Sequence, residues 1–202
     1  NIEDKEKLSV SGSYEFKYLA LTYNNIYELN TANEEILNYR AEHDALTGII
    51  NRGAFDRLRQ IMKSSSSPIA LMIVDVDKFK LVNDQYGHEM GDRVLKKVAK
   101  MLEEGFRVSD YAARIGGDEF AVILAEVTED MMSVIREKVE NINHILKNPE
   151  DGLPPVSVSV GVAFSSCGFE EDLYKKADSA LYVTKENGRC GCSFYEEPTV
   201  NS

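Results

Sequence analysis

The apolar run Ile69-Ala-Leu-Met-Ile-Val74 ends abruptly in Asp75-Val76-Asp77. Carboxylates at the carboxyl end of a buried strand are costly unless something cationic meets them, and a metal ion is the natural candidate. A second acidic pair, Asp118-Glu119, follows the glycines Gly116-Gly117. If an adjacent strand brings this pair beside Asp75, the result is a hard, all-oxygen environment of the kind that suits Mg2+ and a phosphate-bearing ligand. Taken singly, each acidic pair is also what a solvated loop carries, and a Gly-Gly pair is by itself only a turn.

The elements that must position these groups can be read from periodicity. Ile69 to Asp75 reads as a buried strand, and 91–103 as a helix with Val94, Leu95, Val98, Ala99 and Leu102 on one face. Residues 111–115 and 119–124 read as two strands closed by Gly116-Gly117, a hairpin in which paired glycines are expected to supply positive φ angles. A helix over 131–146, an alternating Val/Ser strand over 156–164, a helix over 170–185 and a short strand near 193–195 follow. Before Asp44 the pattern differs. Residues 14–42 contain neither Pro nor Gly, and Phe16, Leu19, Tyr23, Ile26, Asn30, Asn33, Leu37 and Arg40 repeat by three and four, a heptad seam whose Asn residues would fix register. A parallel two-stranded coil fits this seam; a solvated helix packed on its own domain is the alternative. The expected division is 1–42, a linker and coiled-coil helix, and 43–202, a compact domain of strands and amphipathic helices.

Composition narrows the function classes. A chain of 202 residues with 43% hydrophobic and 28% charged residues can bury one substantial core. The net charge of −11 excludes a broad basic surface for nucleic acid, so a polyanionic ligand must be held by a local cation cluster or a metal. The cysteines, Cys167, Cys190 and Cys192, suit neither a disulfide framework nor a zinc site and read as reduced cytosolic thiols. The longest apolar run is far short of the roughly 20 residues that span a bilayer. His43, His88 and His144 are too scattered to form a cluster.

Gly116-Gly117-Asp118-Glu119-Phe120 is identical to the signature of the GGDEF family of diguanylate cyclases, and three further segments resemble that family in order. These are Asp44-Ala-Leu-Thr-Gly-Ile-Ile-Asn51-Arg52, the long segment from Asp75 through Lys80 and Asn83 to Asp92, and Lys185-Glu-Asn-Gly-Arg189. The resemblance covers about 44–195 and implies that 43–202 is a catalytic domain and the helix within 1–42 a signalling helix. It implies an α+β, nucleotidyl-cyclase-like fold with a ferredoxin-like βαββαβ core, a mostly antiparallel sheet flanked by helices, preceded by the long N-terminal helix. It implies condensation of two GTP into cyclic di-GMP by a homodimer, with Mg2+ or Mn2+ held by Asp75, Asp118 and the Val76 carbonyl.

By the same resemblance, Asn83 and Asp92 read guanine, whose N1 and N2 donors a carboxylate can accept. Lys80, Lys185 and Arg189 hold the β- and γ-phosphates, and Gly116 and Gly117 admit the nucleotide to the backbone. Glu119 stands at the attacking hydroxyl as general base, second metal ligand or positioning group. Arg107 and Asp110 resemble an inhibitory product site for cyclic di-GMP. Gly53 and Cys190-Gly-Cys192 depart from the family pattern without touching the metal or guanine groups.

The stretch Ser13 to Ile26 resembles the second helix of a HAMP signal-relay module, which implies the cytoplasmic output end of an inner-membrane sensor whose membrane contact lies in absent upstream segments. Two other functions fit the same residues: a receptor that binds GTP or cyclic di-GMP without turnover, and a cyclase that makes a mixed or adenine dinucleotide.

Overall fold

The computed structural model describes residues 8–197; the outer ends of the two expected domains, 1–7 and 198–202, lie outside it. The chain divides into two compact units, 1–42 and 43–202.

The first unit is built on helix α1 (Tyr14–Glu42). The residues ahead of it fold back along it. Asn24 clasps Leu8 with both halves of its side-chain amide, accepting from the Leu8 N–H at 2.8 Å and donating to its carbonyl at 2.9 Å. Ala20 is buried, whereas the seam residues Phe16, Leu19, Ile26 and Leu37 are all more than half exposed.

The second unit is one six-stranded sheet in the order β1-β3-β4-β2-β5-β6 with helices on both faces. Its elements are β1 (Ile50–Asn51), α2 (Arg52–Met62), β2 (Ile69–Val76), α3 (Phe79–Tyr86), α4 (His88–Gly105), β3 (Tyr111–Arg114), β4 (Glu119–Ala125), α5 (Met132–Lys147), β5 (Val158–Ser165), α6 (Leu173–Glu186) and β6 (Gly191–Phe194). β2 is central and antiparallel to both β4 and β5; β3 pairs antiparallel with β4, and at the two edges the short strands β1 and β6 run parallel to β3 and β5 respectively. The β2-to-β5 segment is the expected βαββαβ core, its first crossover carrying two helices.

Why β2 reads as an unbroken apolar run follows from this layering. Successive strand side chains point to opposite faces. Ala70, Met72, Val74 and Val76 enter the core packed by α4 and α5, and Ile69, Leu71 and Ile73 enter the core packed by α2 and α6. Both faces are covered, so neither parity can be polar until the strand leaves the core. Asp75 and Asp77 continue the odd parity, which faces α6.

α6 packs against β5 at Gly161. A Cβ there would stand 2.1 Å from the Leu181 backbone N and 2.2 Å from the Ala177 carbonyl oxygen, contacts that only a shift of the helix could relieve. Gly161→Ala is therefore expected to lower stability by about 3 kcal/mol, read as a fall in the urea midpoint at unchanged slope.

The hairpin glycines depart from expectation. Left-handed φ angles occur at Gly12, Gly48, Gly87, Gly152, Gly168 and Gly188 but at neither Gly116 nor Gly117. What glycine supplies in the hairpin is room: Gly117 has open space where a side chain would stand, and a Cβ at Gly116 would lie 2.7 Å from Glu119 Oε2.

Candidate functional site

Register brings the two acidic pairs together. In the β2–β4 ladder Asp75 lies directly opposite Glu119, and the Val76 N–H donates to the Asp118 carbonyl at 3.2 Å. Like charges facing each other across an antiparallel pair destabilise a sheet, so this strand end calls for positive charge. Lys185, on the last turn of α6, supplies some of it: its Nζ is 2.8 Å from Asp75 Oδ2. Burial pushes the Asp75 carboxyl above its ordinary value, Lys185 pulls it back, and the nearby charges of Asp118 and Asp77 add to the rise. A carboxylate held this way gains from a further cation.

Among the described residues no three acidic, His or Cys side chains form a ready-made metal cage. The donors at the strand end are oxygen alone, from Asp75, Asp118 and the adjoining backbone. That set fits Mg2+, which keeps several waters and is commonly held by one or two carboxylates together with substrate phosphates.

A second group is built by α3 and α4, which meet at Gly87, whose φ of +82° lets one helix end and the next begin. Asn83 projects from α3 and Asp92 from the first turns of α4. The Asn83 amide fits against Gly91, where a Cβ would stand 2.0 Å from Asn83 Oδ1. Because the obstacle is a side chain that can turn, and Ala favours the helix by about 1 kcal/mol over Gly, Gly91→Ala should leave stability nearly unchanged. On the expectation that Asn83 reads guanine, displacing its amide should nevertheless weaken GTP binding by about tenfold, as titration calorimetry would measure.

The remaining expected residues are dispersed. Lys80 is exposed on α3. Arg189 lies beyond α6 with its Nε 3.9 Å from Asp77 Oδ1. Arg107 and Asp110 form a tight turn, and both carboxylate oxygens of Asp110 accept backbone N–H groups, Oδ2 from Arg107 at 2.8 Å and Oδ1 from Ala125 at 3.1 Å. The two residues border a cleft of about 530 Å3 whose walls include His43, Ile50, Glu103 and Tyr111.

Three residues that hold the hairpin had no role assigned from sequence. Arg114 donates to the Gly117 carbonyl from Nε at 3.2 Å and Nη2 at 2.8 Å, while its Nη1 reaches Asp44 Oδ1 at 3.0 Å. Asp44 also accepts from the Thr47 N–H and hydroxyl. From α2, Arg52 Nη1 donates to the Ile115 carbonyl at 3.1 Å. An Arg two residues before a Gly-Gly turn, able to fold back onto that turn, was the available signal.

An α+β domain with a central antiparallel sheet, two carboxylates opposed at a strand end and a cation from a flanking helix defines a nucleotidyl-cyclase-like domain. Residues 41–190 match the family model described as diguanylate cyclase, GGDEF domain, and the chain belongs to that family. It is 35% identical over 190 residues to the diguanylate cyclase DosC of Escherichia coli (strain K12), covering 88% of this chain and 41% of DosC. The structure is similar to that of the coiled coil and GGDEF domain of DgcB from Caulobacter crescentus in complex with c-di-GMP: TM-score 0.74 and 28% identity, covering 88% of this chain and 97% of that one. Diguanylate cyclase SiaD from Pseudomonas aeruginosa, solved with its activator SiaC, gives a TM-score of 0.70 at 30% identity over 89% of this chain and 72% of SiaD. The chain spans about two fifths of the length of the curated relatives it matches. Among the described residues no helix is long and apolar enough to cross a membrane.

Proposed function

We propose that this chain is a diguanylate cyclase that condenses two GTP into cyclic di-GMP and releases two pyrophosphates. The observation that carries the reading is Asp75 facing Glu119 beside Asp118, with Lys185 on Asp75, in a chain of the GGDEF family. Asp75, Asp118 and the Val76 carbonyl would hold Mg2+ or Mn2+, which when bound neutralises charge on the phosphate oxygens. Asn83 and Asp92 recognise guanine. Lys80, Lys185 and Arg189 stabilise the triphosphate and then the leaving pyrophosphate. Lys185 is shared between Asp75 and the phosphates, so it also links the two sets of groups.

Each 3′-hydroxyl oxygen forms a bond to the α-phosphorus of the other nucleotide, the bridge to the β-phosphate breaks, and the hydroxyl proton is given up. Glu119 is the carboxylate proposed to take or orient that proton. Two such sites must face each other, so the reaction belongs to a homodimer, and the exposed seam of α1 supports a coil that joins two copies. Arg107 and Asp110 are proposed to bind cyclic di-GMP as inhibitor: each Asp110 oxygen that accepts a backbone N–H keeps a lone pair for guanine. The resemblance of α1 to a HAMP helix supports a role as the cytoplasmic output of an inner-membrane sensor.

The test is incubation with GTP and Mg2+ across protein concentration, with product identified by mass. Cyclic di-GMP with activity per monomer that rises on dimerisation is expected; no product at any concentration overturns the reading. Arg107→Ala is expected to leave synthesis intact and abolish inhibition by added cyclic di-GMP, seen as loss of the plateau in progress curves.

A further inference from the structure

Asp77 has no part in the metal and nucleotide groups proposed above, yet among the described residues it is the only charged side chain that is buried, at 7% exposed. Its oxygens are closely supplied. Ser159 Oγ donates to Oδ1 at 2.6 Å, and Ser157 Oγ donates to Oδ2 at 2.6 Å. The Cys190 backbone N–H donates to Oδ2 at 3.1 Å, and the Arg189 guanidinium lies 3.9 Å from Oδ1. Burying a carboxylate costs several kcal/mol before such partners repay it, and a neutral residue of the same size would fill the space without that cost.

The turn that Asp77 grips is strained. Gly188, Arg189 and Cys190 follow one another at φ +100°, +66° and +57°. For the two non-glycine residues the left-handed region costs on the order of 1–2 kcal/mol each, and such backbone persists only where its surroundings over-determine it. Here the Arg189 N–H goes to the Thr184 carbonyl at 3.0 Å, and Asp77 takes the next N–H and faces the guanidinium. The serines come from the lead-in to β5 and from β5 itself, so the end of β2 that bears Asp75 is fixed to the turn that bears Arg189.

We infer that Asp77 is a positioning residue for the triphosphate: it holds the Gly188–Cys190 turn in its left-handed form and so aims Arg189, making the site prefer a nucleoside triphosphate over the monophosphate. This rests on the reading of Arg189 as a phosphate ligand. Asp77→Asn isolates the charge. The amide oxygen can still accept from Ser157 and the Cys190 N–H, and the Ser159 hydroxyl can turn to accept from the amide nitrogen, so the turn keeps its neutral bonds while Arg189 loses its counter-charge.

Binding of 3′-deoxy-GTP, which lacks the attacking hydroxyl, and of GMP is measured by calorimetry with Mg2+ for the parent, Asp77→Asn, Arg189→Ala and the double variant. Asp77→Asn is expected to weaken 3′-deoxy-GTP about fivefold to tenfold and GMP less than about twofold, with no further loss on the Arg189→Ala background. Equal loss for both nucleotides, full additivity with Arg189→Ala, or an unchanged triphosphate preference overturns the inference. Should Asp77→Asn fail to fold, Ser157→Ala keeps the charge but removes one hydroxyl that fixes it, and the same ratio is expected to move about twofold; no movement overturns the inference. A parent that makes no cyclic di-GMP defeats the cyclase reading and leaves this ratio readable. A parent that makes it while Asp77→Asn keeps its triphosphate preference defeats only the role of Asp77.

Discussion

On the proposed function, Asp75→Asn should reduce cyclic di-GMP synthesis by about a thousandfold while leaving the fold intact, because that reading uses the Asp75 charge on the ligand side and not in the core. The residue sits past the last buried position of its parity on β2, opposite Glu119, and among the described residues its ion-pair partner is Lys185 at 2.8 Å. The amide removes an ion pair and, with it, the repulsion from Asp118 and Asp77 that raises the Asp75 carboxyl. These opposed changes should leave the thermal midpoint within about 3 °C, the equivalent of about 1 kcal/mol in a domain of this size. Initial rates with saturating Mg2+ and GTP, set against the midpoint, make the comparison. Loss of activity with loss of fold would mean that Asp75 is structural.

The parent should show a related pH dependence. Burial raises the folded-state pKa of Asp75 above its ordinary 3.8. The folded chain therefore binds this proton more tightly than the unfolded chain, and the residue's contribution to stability falls as pH rises from the unfolded value through the folded one. Metal binding has the opposite sense, since only the carboxylate is a ligand. If Asp75 is the proposed ligand, apparent Mg2+ affinity should thus weaken on acidification at a higher pH than an unperturbed aspartate would give, which Mg2+ titrations of the rate at several pH values would show.

Arg114→Ala should cost about a hundredfold in activity and about 2–3 kcal/mol in stability, although Arg114 reaches the proposed GTP site only through the Gly117 backbone and touches none of the side chains proposed to meet GTP. Its guanidinium makes two bonds to the Gly117 carbonyl and one to Asp44, with both side chains of that ion pair part-buried. Without it the hairpin loses the contact that fixes the backbone one residue before Asp118. Arg114→Lys should recover little, because an ammonium cannot supply the planar fork that spans a carbonyl and a carboxylate.

Asp44 supplies the linked observation. Burial pushes its carboxyl up, but the Thr47 and Arg114 donors outweigh burial and hold it below 3.8. A depressed pKa adds stability that is present above the unfolded value and lost as pH falls through the folded one. That acid-side loss should shrink in Arg114→Ala, as urea midpoints between neutral and acidic pH would reveal. An unaltered acid limb would show that the pair contributes little.

The sequence alone determined the pieces. The unbroken apolar parity of β2, its stop at Asp75, the amphipathic faces of α4 and α5 and the order of the motifs are local properties, fixed by the periods of strand and helix. Helix α3 falls in a stretch legible only as motif and α2 in one to which the sequence assigned no element beyond Arg52, because 8 and 11 residues give little room for a period to declare itself.

Tertiary structure decided which charge meets which. Asp75 and Asp77 look equivalent in sequence, two residues apart at one strand end. Pairing of β2 with both β4 and β5 sets one against Glu119 and Lys185 and buries the other among Ser157, Ser159 and the turn after α6. The Gly-Gly pair shows the same limit: its composition announces a tight turn, but the angles adopted depend on Arg114 and Glu119 packing around it. Partners that arrive from distant parts of the chain are set by strand register and helix crossover, and no local window of residues encodes either.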